Sequence, residues 1–453
     1  MIPPQPEATF ALVSLGCAKN LIDSERMAGL LHRRGYRMVP DPEEADFVVV
    51  NTCGFIGDAR EESLAAIREM LDAKARGQLK GLIVAGCMAE RDREALLVDN
   101  PGIDQLVGVF GREEIADAAD RLIGGSDRGR TIFHPVPSRP LPDGDRMRLT
   151  PRHLAFLKIA EGCNRACSFC TIPRMRGPYS SKPIEQVVAE AEELAADGTR
   201  ELIVIAQDTS AYGLDIYGEP RLAELLARLE EVDGLAWIRL MYLYPMHVTE
   251  ELIEVIGSSG KVLPYLDLPL QHINDDILRC MRRKVGRAET EQILELLRRR
   301  IDSLVLRTTM MTGFPGETEE QFQELLQFVA EQRFERLGAF AYSNEPGTAA
   351  ENLDGQVPDE VKNERRQRLL AAQQEIAFAW GNERVGSRME IIIDRDMPEQ
   401  PDAYVGRSTA DAPEVDGVVY VTGANLAPGR IVACEIVAAR GYDLVAFHTE
   451  GKG

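Results

Sequence analysis

Apolar runs alternate with helical patterns from the start of the chain. "FALVSLG" (10–16) is followed by "LIDSERMAGLLHRRG", whose apolar residues recur at helical spacing before Gly35 closes the run. "ADFVVVNTC" leads into "DAREESLAAIREMLDAKARG", and "GLIVAGC" into "AERDREALLV". Strand and helix in alternation predict a parallel sheet with helices on both faces. Residues 126–150 are rich in Pro, Gly and charge and are expected to link this domain (1–125) to the next. From 151 to 384 a longer alternation follows, with strand runs "LAFLKIAEGC", "ELIVIAQD", "AWIRLMYLYP", "YLDLPLQH", "LVLRTTMMTGFP" and "RLGAFAYS". Six such units predict an open, partial (βα) barrel rather than the closed eight-unit form. A charged helix, "DEVKNERRQRLLAAQQEIAFAWGNE", then leads to short strand runs between turns from 385 to 453, predicting a small β-barrel. The fold class is α/β: an N-terminal parallel α/β sandwich, a central six-unit partial barrel and a C-terminal β-barrel.

The cysteines fall where this pattern gives them a shared place. Cys17, Cys53 and Cys87 each stand at the end of one of the first three apolar runs. Ligands of open parallel sheets bind beyond the carboxyl ends of the strands, so the fold brings three thiols, far apart in sequence, to one edge. Buried inert cysteine is common, but three in equivalent positions make that the weaker reading. Cys163, Cys167 and Cys170, in "EGCNRACSFCTIPRMRG", are spaced Cys-x3-Cys-x2-Cys directly after the first barrel strand. A structural zinc site is closed by four ligands. No fourth Cys or His lies close in sequence here, although His153 or His272 can arrive through the fold. Three thiolates on a four-iron cluster instead leave one iron open. Cys280, in "ILRCMRR", and Cys434, in "IVACEIV", read as packed thiols of a helix and a strand and are assigned no chemistry.

Composition narrows the classes. Of 453 residues, 44% are hydrophobic and 28% charged, an ordinary globular balance. No apolar stretch approaches the ~20 residues of a membrane span. "MIPPQPEATF" lacks the basic-then-apolar pattern of a leader, so a cytoplasmic protein without disulfides is expected. The formal net charge is −21. Such acidity disfavours stable binding to nucleic acid and favours a basic partner through steering, with plain solubility as the bland alternative.

The Cys163–Cys170 loop, with Phe169 before its last cysteine, resembles the signature of radical S-adenosylmethionine enzymes. The resemblance implies a [4Fe–4S] cluster on Cys163, Cys167 and Cys170 whose open iron takes the amino and carboxylate groups of S-adenosylmethionine. It also implies a 5′-deoxyadenosyl radical that removes hydrogen from an unactivated carbon. The cofactor carries that chemistry and the protein positions it. The whole chain resembles the methylthiotransferases of this superfamily, built from a three-cysteine domain, a radical barrel and a TRAM-type domain. By that resemblance Cys17, Cys53 and Cys87 bind a second, auxiliary [4Fe–4S] cluster carrying the sulfur to be inserted. One cofactor molecule methylates the sulfur and another generates the radical, with an electron donor and a sulfur donor as further partners.

Two branches of that family differ in substrate: an adenosine of tRNA, or the β-carbon of an aspartate in ribosomal small-subunit protein S-twelve. "SLGCAKNLIDSE", "NTCGFI", "YLDLPLQHINDDIL" and "MTGFPGETEEQF" resemble the second branch. The first tends to carry Gln-Met-Asn in place of Ala18-Lys19-Asn20 and Ser-Gly-Ser in place of His272-Ile273-Asn274. Methylthiolation of the aspartate is therefore the expected activity. The tRNA reaction and a non-catalytic zinc or iron–sulfur protein stand as alternatives. From Gly386 onward, eleven Asp or Glu face six Lys or Arg, which suits a basic protein better than RNA. Asp411, Glu414 and Asp416 are expected to dock that protein, with a solvated acidic loop as the bland reading. Phe169, Gln207, Asp208, Gly313 and Gly316 are expected beside the cofactor, although "GFPGET" also reads as a turn and helix cap through Thr318 and Gln321. Arg174 and Arg176 are expected to grip a substrate carboxylate, with exposed loop arginines as the dull alternative.

Overall fold

The structure, a computed structural model, describes residues 8–125 and 129–448; most of the opening stretch read for a leader, and the boundary at 126, lie outside the described residues. Strands β1 (Thr9–Ser14), β2 (Arg37–Met38), β3 (Phe47–Thr52), β4 (Gly81–Gly86), β5 (Gln105–Val107) and β6 (Thr131–Ile132) form one sheet. Their order is β2-β1-β3-β4-β5-β6, and every pair is parallel. Because helices cover both faces, β3 and β4 are buried at every residue, and this is why they read as continuous apolar runs. Helix α1 (Ala18–Arg34) ends on Gly35, whose φ of 103° provides the left-handed turn. Helix α2 (Gly57–Ala75) follows β3 and α3 (Cys87–Asp92) follows β4. Arg93, at φ 46°, interrupts what the sequence suggested as a single helix after Cys87. Part of the segment expected to be a linker supplies β6. Its Asp143 is buried against Arg112 (2.7 Å) and Lys182 (2.8 Å).

The second sheet begins with β7 (Leu154–Lys158). A short antiparallel ladder of β8 (Ala160–Glu161) and β9 (Ser180–Ser181) comes next. Then follow β10 (Glu201–Ile205), β11 (Trp237–Leu240), β12 (Val262–Asp267), β13 (Val305–Thr312) and β14 (Arg336–Ala341). The order β14-β13-β12-β11-β10-β7, parallel throughout, is an open six-unit barrel. Leu157, Leu202, Leu225, Leu306 and Phe322 belong to its apolar core between sheet and outer helices. The helix Asp359–Arg384 packs on β14 and leads to the last domain. There β15 (Arg388–Asp396), β16 (Ala403–Ser408), β17 (Val419–Thr422), β18 (Ile431–Arg440) and β19 (Asp443–His448) close a barrel in the order β15-β16-β17-β19-β18.

The acidic loop between β16 and β17 is not the free docking edge that the sequence suggested. Asp411 is 2% exposed and pairs with Arg336 at 2.6 Å. Asp416 accepts from the Tyr265 hydroxyl at 2.6 Å and lies 3.5 Å from Arg307. The arginines come from β13 and β14, so both carboxylates are drawn into the junction with the central barrel; only Glu414 of the three stays exposed. Buried Glu201 strengthens the same junction by joining Arg239 of β11 (2.8 Å) to Arg407 of β16 (2.6 Å). Among the described residues no helix is long and apolar enough to cross a membrane.

Candidate active site

Parallel register carries the ends of β1, β3 and β4 to one edge, and there Cys17, Cys53 and Cys87 meet. Cys17 stands at the start of α1, Cys87 opens α3, and Cys53 lies in the turn before α2. Two glycines allow the turns to close. A Cβ on Gly16 (φ 87°) would lie 2.7 Å from the Cys53 Cβ and 3.0 Å from its Sγ. At Gly86 (φ 95°) a Cβ would collide with Asn51 Oδ1 and the Thr52 carbonyl. Asn20 ties the turns together, its Nδ2 donating to the carbonyls of Leu15 (2.6 Å) and Thr52 (3.2 Å). Burial pushes the Cys87 thiol up to about 12 and raises Cys53 as well. Thiols in such surroundings become thiolates when they ligate a metal.

The second triad approaches from the barrel. Cys163 follows β8 and is anchored by its N–H to the Gly177 carbonyl (3.1 Å). Backbone N–H groups point at two of the sulfurs, Arg165 N to Cys163 Sγ (3.3 Å) and Ile172 N to Cys170 Sγ (3.5 Å). Ser168 pins the loop by donating from Oγ to the Cys280 carbonyl at 2.7 Å. Cys280 therefore serves the loop through its backbone, and its residue is exposed rather than packed; Cys434 is buried. Burial raises Cys163 to about 11 and Cys170 to about 12.

All six cysteines line a single cavity of about 370 Å³. Among the described residues, no three His, Cys, Asp or Glu side chains converge to hold a single metal ion. A four-iron cubane takes its thiolates at wider separation than one ion does. Three residues lining the cavity carry buried polar atoms with no protein partner: Gln207 Oε1, Arg165 Nη2 and Gln271 Oε1. Buried polar atoms are rarely left alone, so this donor and acceptor set fits a polar cofactor such as S-adenosylmethionine.

Of the residues expected near the cofactor, Phe169, Gln207 and Asp208 line the cavity. Gln207 donates from Nε2 to Glu161 (3.1 Å), and Asp208 accepts from Arg165 Nε (2.7 Å), so Asp208 orients the arginine. Gly313 and Gly316 do not line it. Gly313 packs on Lys362 and donates to Glu317 (2.8 Å), while Gly316 donates to the Gly355 carbonyl (2.8 Å). The turn they form leads into the Thr318–Gln321 capping box. Arg174 also stands outside, donating to the Gly347 carbonyl (2.8 Å). Arg176 lines the cavity but is not free for a substrate carboxylate. It is 1% exposed and donates from Nε to Cys87 Sγ (3.3 Å) and from Nη2 to Asn20 Oδ1 (3.2 Å), with Asp23 at 2.8 Å.

Sequence reasoning missed Lys19, Arg165, Gln271 and Arg283, which all line the cavity. Arg165 and Arg283 flank the Tyr244 ring at 4.0 and 4.2 Å. Lys19 Nζ lies 3.1 Å from the Tyr242 ring centroid, and burial draws its ammonium down to about 8. A signal was present: Lys19 and Arg165 each stand two residues after the first cysteine of a triad.

An open parallel barrel with a Cys-x3-Cys-x2-Cys loop at its carboxyl rim defines a radical S-adenosylmethionine enzyme, and residues 157–329 match the Radical SAM superfamily. Residues 9–108 match the Uncharacterized protein family UPF0004, and 385–447 match the TRAM domain. The fold is shared, with a TM-score of 0.54 at 16% identity, by the radical S-adenosylmethionine methyltransferase TsrM of Kitasatospora setae, over 76% of this chain and 74% of that one. The chain is 45% identical over 438 residues to "Ribosomal protein uS12 methylthiotransferase RimO" of Pelotomaculum thermopropionicum, covering 96% of this chain and 98% of that protein. It is 46% identical over 441 residues to the protein of the same name from Symbiobacterium thermophilum, covering 97% and 90%. The chain belongs to the RimO family of radical S-adenosylmethionine methylthiotransferases.

Proposed function

We propose that this protein methylthiolates the β-carbon of an aspartate in ribosomal small-subunit protein uS12, with each cysteine triad holding one [4Fe–4S] cluster. One observation carries the reading: the triads come from different domains, yet all six cysteines line the same cavity. Cys163, Cys167 and Cys170 hold the cluster that binds S-adenosylmethionine, and Cys17, Cys53 and Cys87 hold the auxiliary cluster. When bound, these groups supply a carbon-centred radical and a transferable methylated sulfur. The chain's own residues do the rest. Gln207, Arg165 and Gln271 offer unpartnered polar atoms to the cofactor, and Phe169 gives an apolar wall. Arg176 reaches from the barrel to Cys87 and Asn20 and ties the barrel to the auxiliary-triad side of the cavity. A turnover needs an electron donor and a sulfur source, and a ribosomal substrate implies action in the cytoplasm.

The test is mass spectrometry after anaerobic incubation of the reconstituted protein with S-adenosylmethionine, reductant and sulfide. Protein uS12 and bulk tRNA are offered in parallel. A methylthio mass gain on one aspartate of uS12 is expected. A gain on tRNA adenosine instead would overturn the substrate assignment and keep the chemistry.

A further inference from the structure

Four cationic side chains line the shared cavity: Lys19, Arg165, Arg176 and Arg283. Three are held by protein acceptors. Arg165 is paired with Asp208, and Arg176 with Asp23 and Glu161. Arg283 donates from Nη2 to the Pro269 carbonyl at 2.7 Å, with Cys167 Sγ 3.9 Å from Nη1. Lys19 differs. It is 7% exposed, and among the described residues its ammonium has neither a hydrogen-bond nor an ion-pair partner, only the Tyr242 ring beneath it. The nearby carboxylate of Asp267 is committed elsewhere, accepting from Arg307 (2.9 Å) and from the Tyr242 N–H (3.1 Å). Tyr242 itself is held at φ 61°, an unfavourable backbone for an aromatic residue, which keeps its ring under the ammonium.

Glu161, paired with Lys158 and Arg176, and the Cys17 sulfur also face this ammonium, but neither bonds it. A buried ammonium without a bonded acceptor gains a charge-assisted hydrogen bond when a carboxylate enters the cavity. Resting on the function proposed above, we infer that Lys19 binds the side-chain carboxylate of the substrate aspartate and thereby selects an acidic side chain over a neutral one. Placement supports this. Lys19 stands in the first turn of α1, two residues after Cys17, on the auxiliary-triad side of the cavity. Arg165 belongs to the Cys163–Cys170 loop, where its N–H points at Cys163 Sγ. The carboxylate of aspartate is bonded directly to its β-carbon, so anchoring it at Lys19 fixes that carbon between the sulfur-bearing triad and the radical source. Lys19 is thus a specificity-determining residue.

The experiment compares wild type, Lys19→Met and Lys19→Arg, all with clusters reconstituted. Two uS12 peptides are used, identical except for Asp or Asn at the modified position. Wild type is expected to bind the Asp peptide more tightly than the Asn peptide. Lys19→Met weakens the Asp peptide about tenfold to a hundredfold, the range of a charge-assisted hydrogen bond, and leaves the Asn peptide unchanged. Lys19→Arg restores the preference, while iron content and affinity for S-adenosylmethionine hold at wild-type values. Equal weakening of both peptides would overturn the inference, as would an intact Asp preference with weakened S-adenosylmethionine binding, since the lysine would then serve the cofactor. If wild type modifies the Asp peptide and the preference survives in Lys19→Met, only this inference falls. If wild type modifies neither peptide, the substrate assignment falls with it.

Discussion

Gly16→Ala isolates the closure of the auxiliary triad from everything else the protein does. At φ 87° an alanine costs about 1–2 kcal/mol in backbone strain alone. Its Cβ would also sit 2.7 Å from the Cys53 Cβ, where carbon atoms prefer about 3.5 Å or more. One turn must therefore retreat by roughly 0.8 Å, more than the ~0.5 Å within which a ligand set must be held. Gly77→Ala is the control, because Gly77 has a similar φ of 76° but open space around its Cβ position. The assay is iron content together with electron paramagnetic resonance of the reduced protein. Gly16→Ala is expected to lose most of the auxiliary cluster's iron and its methylthiolation while still cleaving S-adenosylmethionine. Gly77→Ala is expected to keep both clusters. Full auxiliary iron in Gly16→Ala, or equal losses in the two variants, would refute the argument that close approach at Gly16 sets the triad.

Asp411→Ala leaves Arg336 buried without its partner, a change that costs about 3–5 kcal/mol in comparable buried pairs. Hydrogen exchange should quicken across β13, β14 and β16, and unchanged exchange with weakened uS12 binding would instead support docking at this loop. His272 is buried and its Nδ1 accepts from the Asn274 N–H; burial first, then Arg365, hold its pKa down to about 3 against 6.5 in the free residue. The unfolded chain takes up that proton first, so this contribution to stability is complete above pH 6.5 and is lost as pH falls toward 3. Between pH 6.5 and pH 5 the apoprotein should lose about 2 kcal/mol through His272. Urea unfolding of wild type and His272→Gln at the two pH values checks this, and an equal acid sensitivity would contradict it.

The meeting of Cys17, Cys53 and Cys87 was legible because strand ends in a parallel sheet have a position that the sequence pattern reveals, and Cys163, Cys167 and Cys170 stood out by their spacing. The domain-scale pattern was legible for the same reason, since two-sided burial writes itself as apolar runs such as Phe47–Thr52. Charged residues were read less well, because their role depends on which arginine or carboxylate the folded chain presents. Asp411 and Asp416 looked like a surface patch until β13 and β14 supplied Arg307 and Arg336. Arg176 looked like an exposed loop residue, yet the first domain closes over it with Asp23, Asn20 and Cys87. Gly313 and Gly316 fell outside the cavity because their turn serves the helix that follows and the packing of Lys362. Lys19 and Arg165 acquire meaning only when the two domains form one cavity.

Iron stoichiometry by Mössbauer spectroscopy in the triad variants tests the central claim most directly. Wild type should hold two four-iron clusters. The Cys17→Ala, Cys53→Ala, Cys87→Ala triple variant and the Cys163→Ala, Cys167→Ala, Cys170→Ala triple variant should each hold one, and only the former should cleave S-adenosylmethionine. Two clusters remaining in either variant, or a single cluster in wild type, would contradict the account.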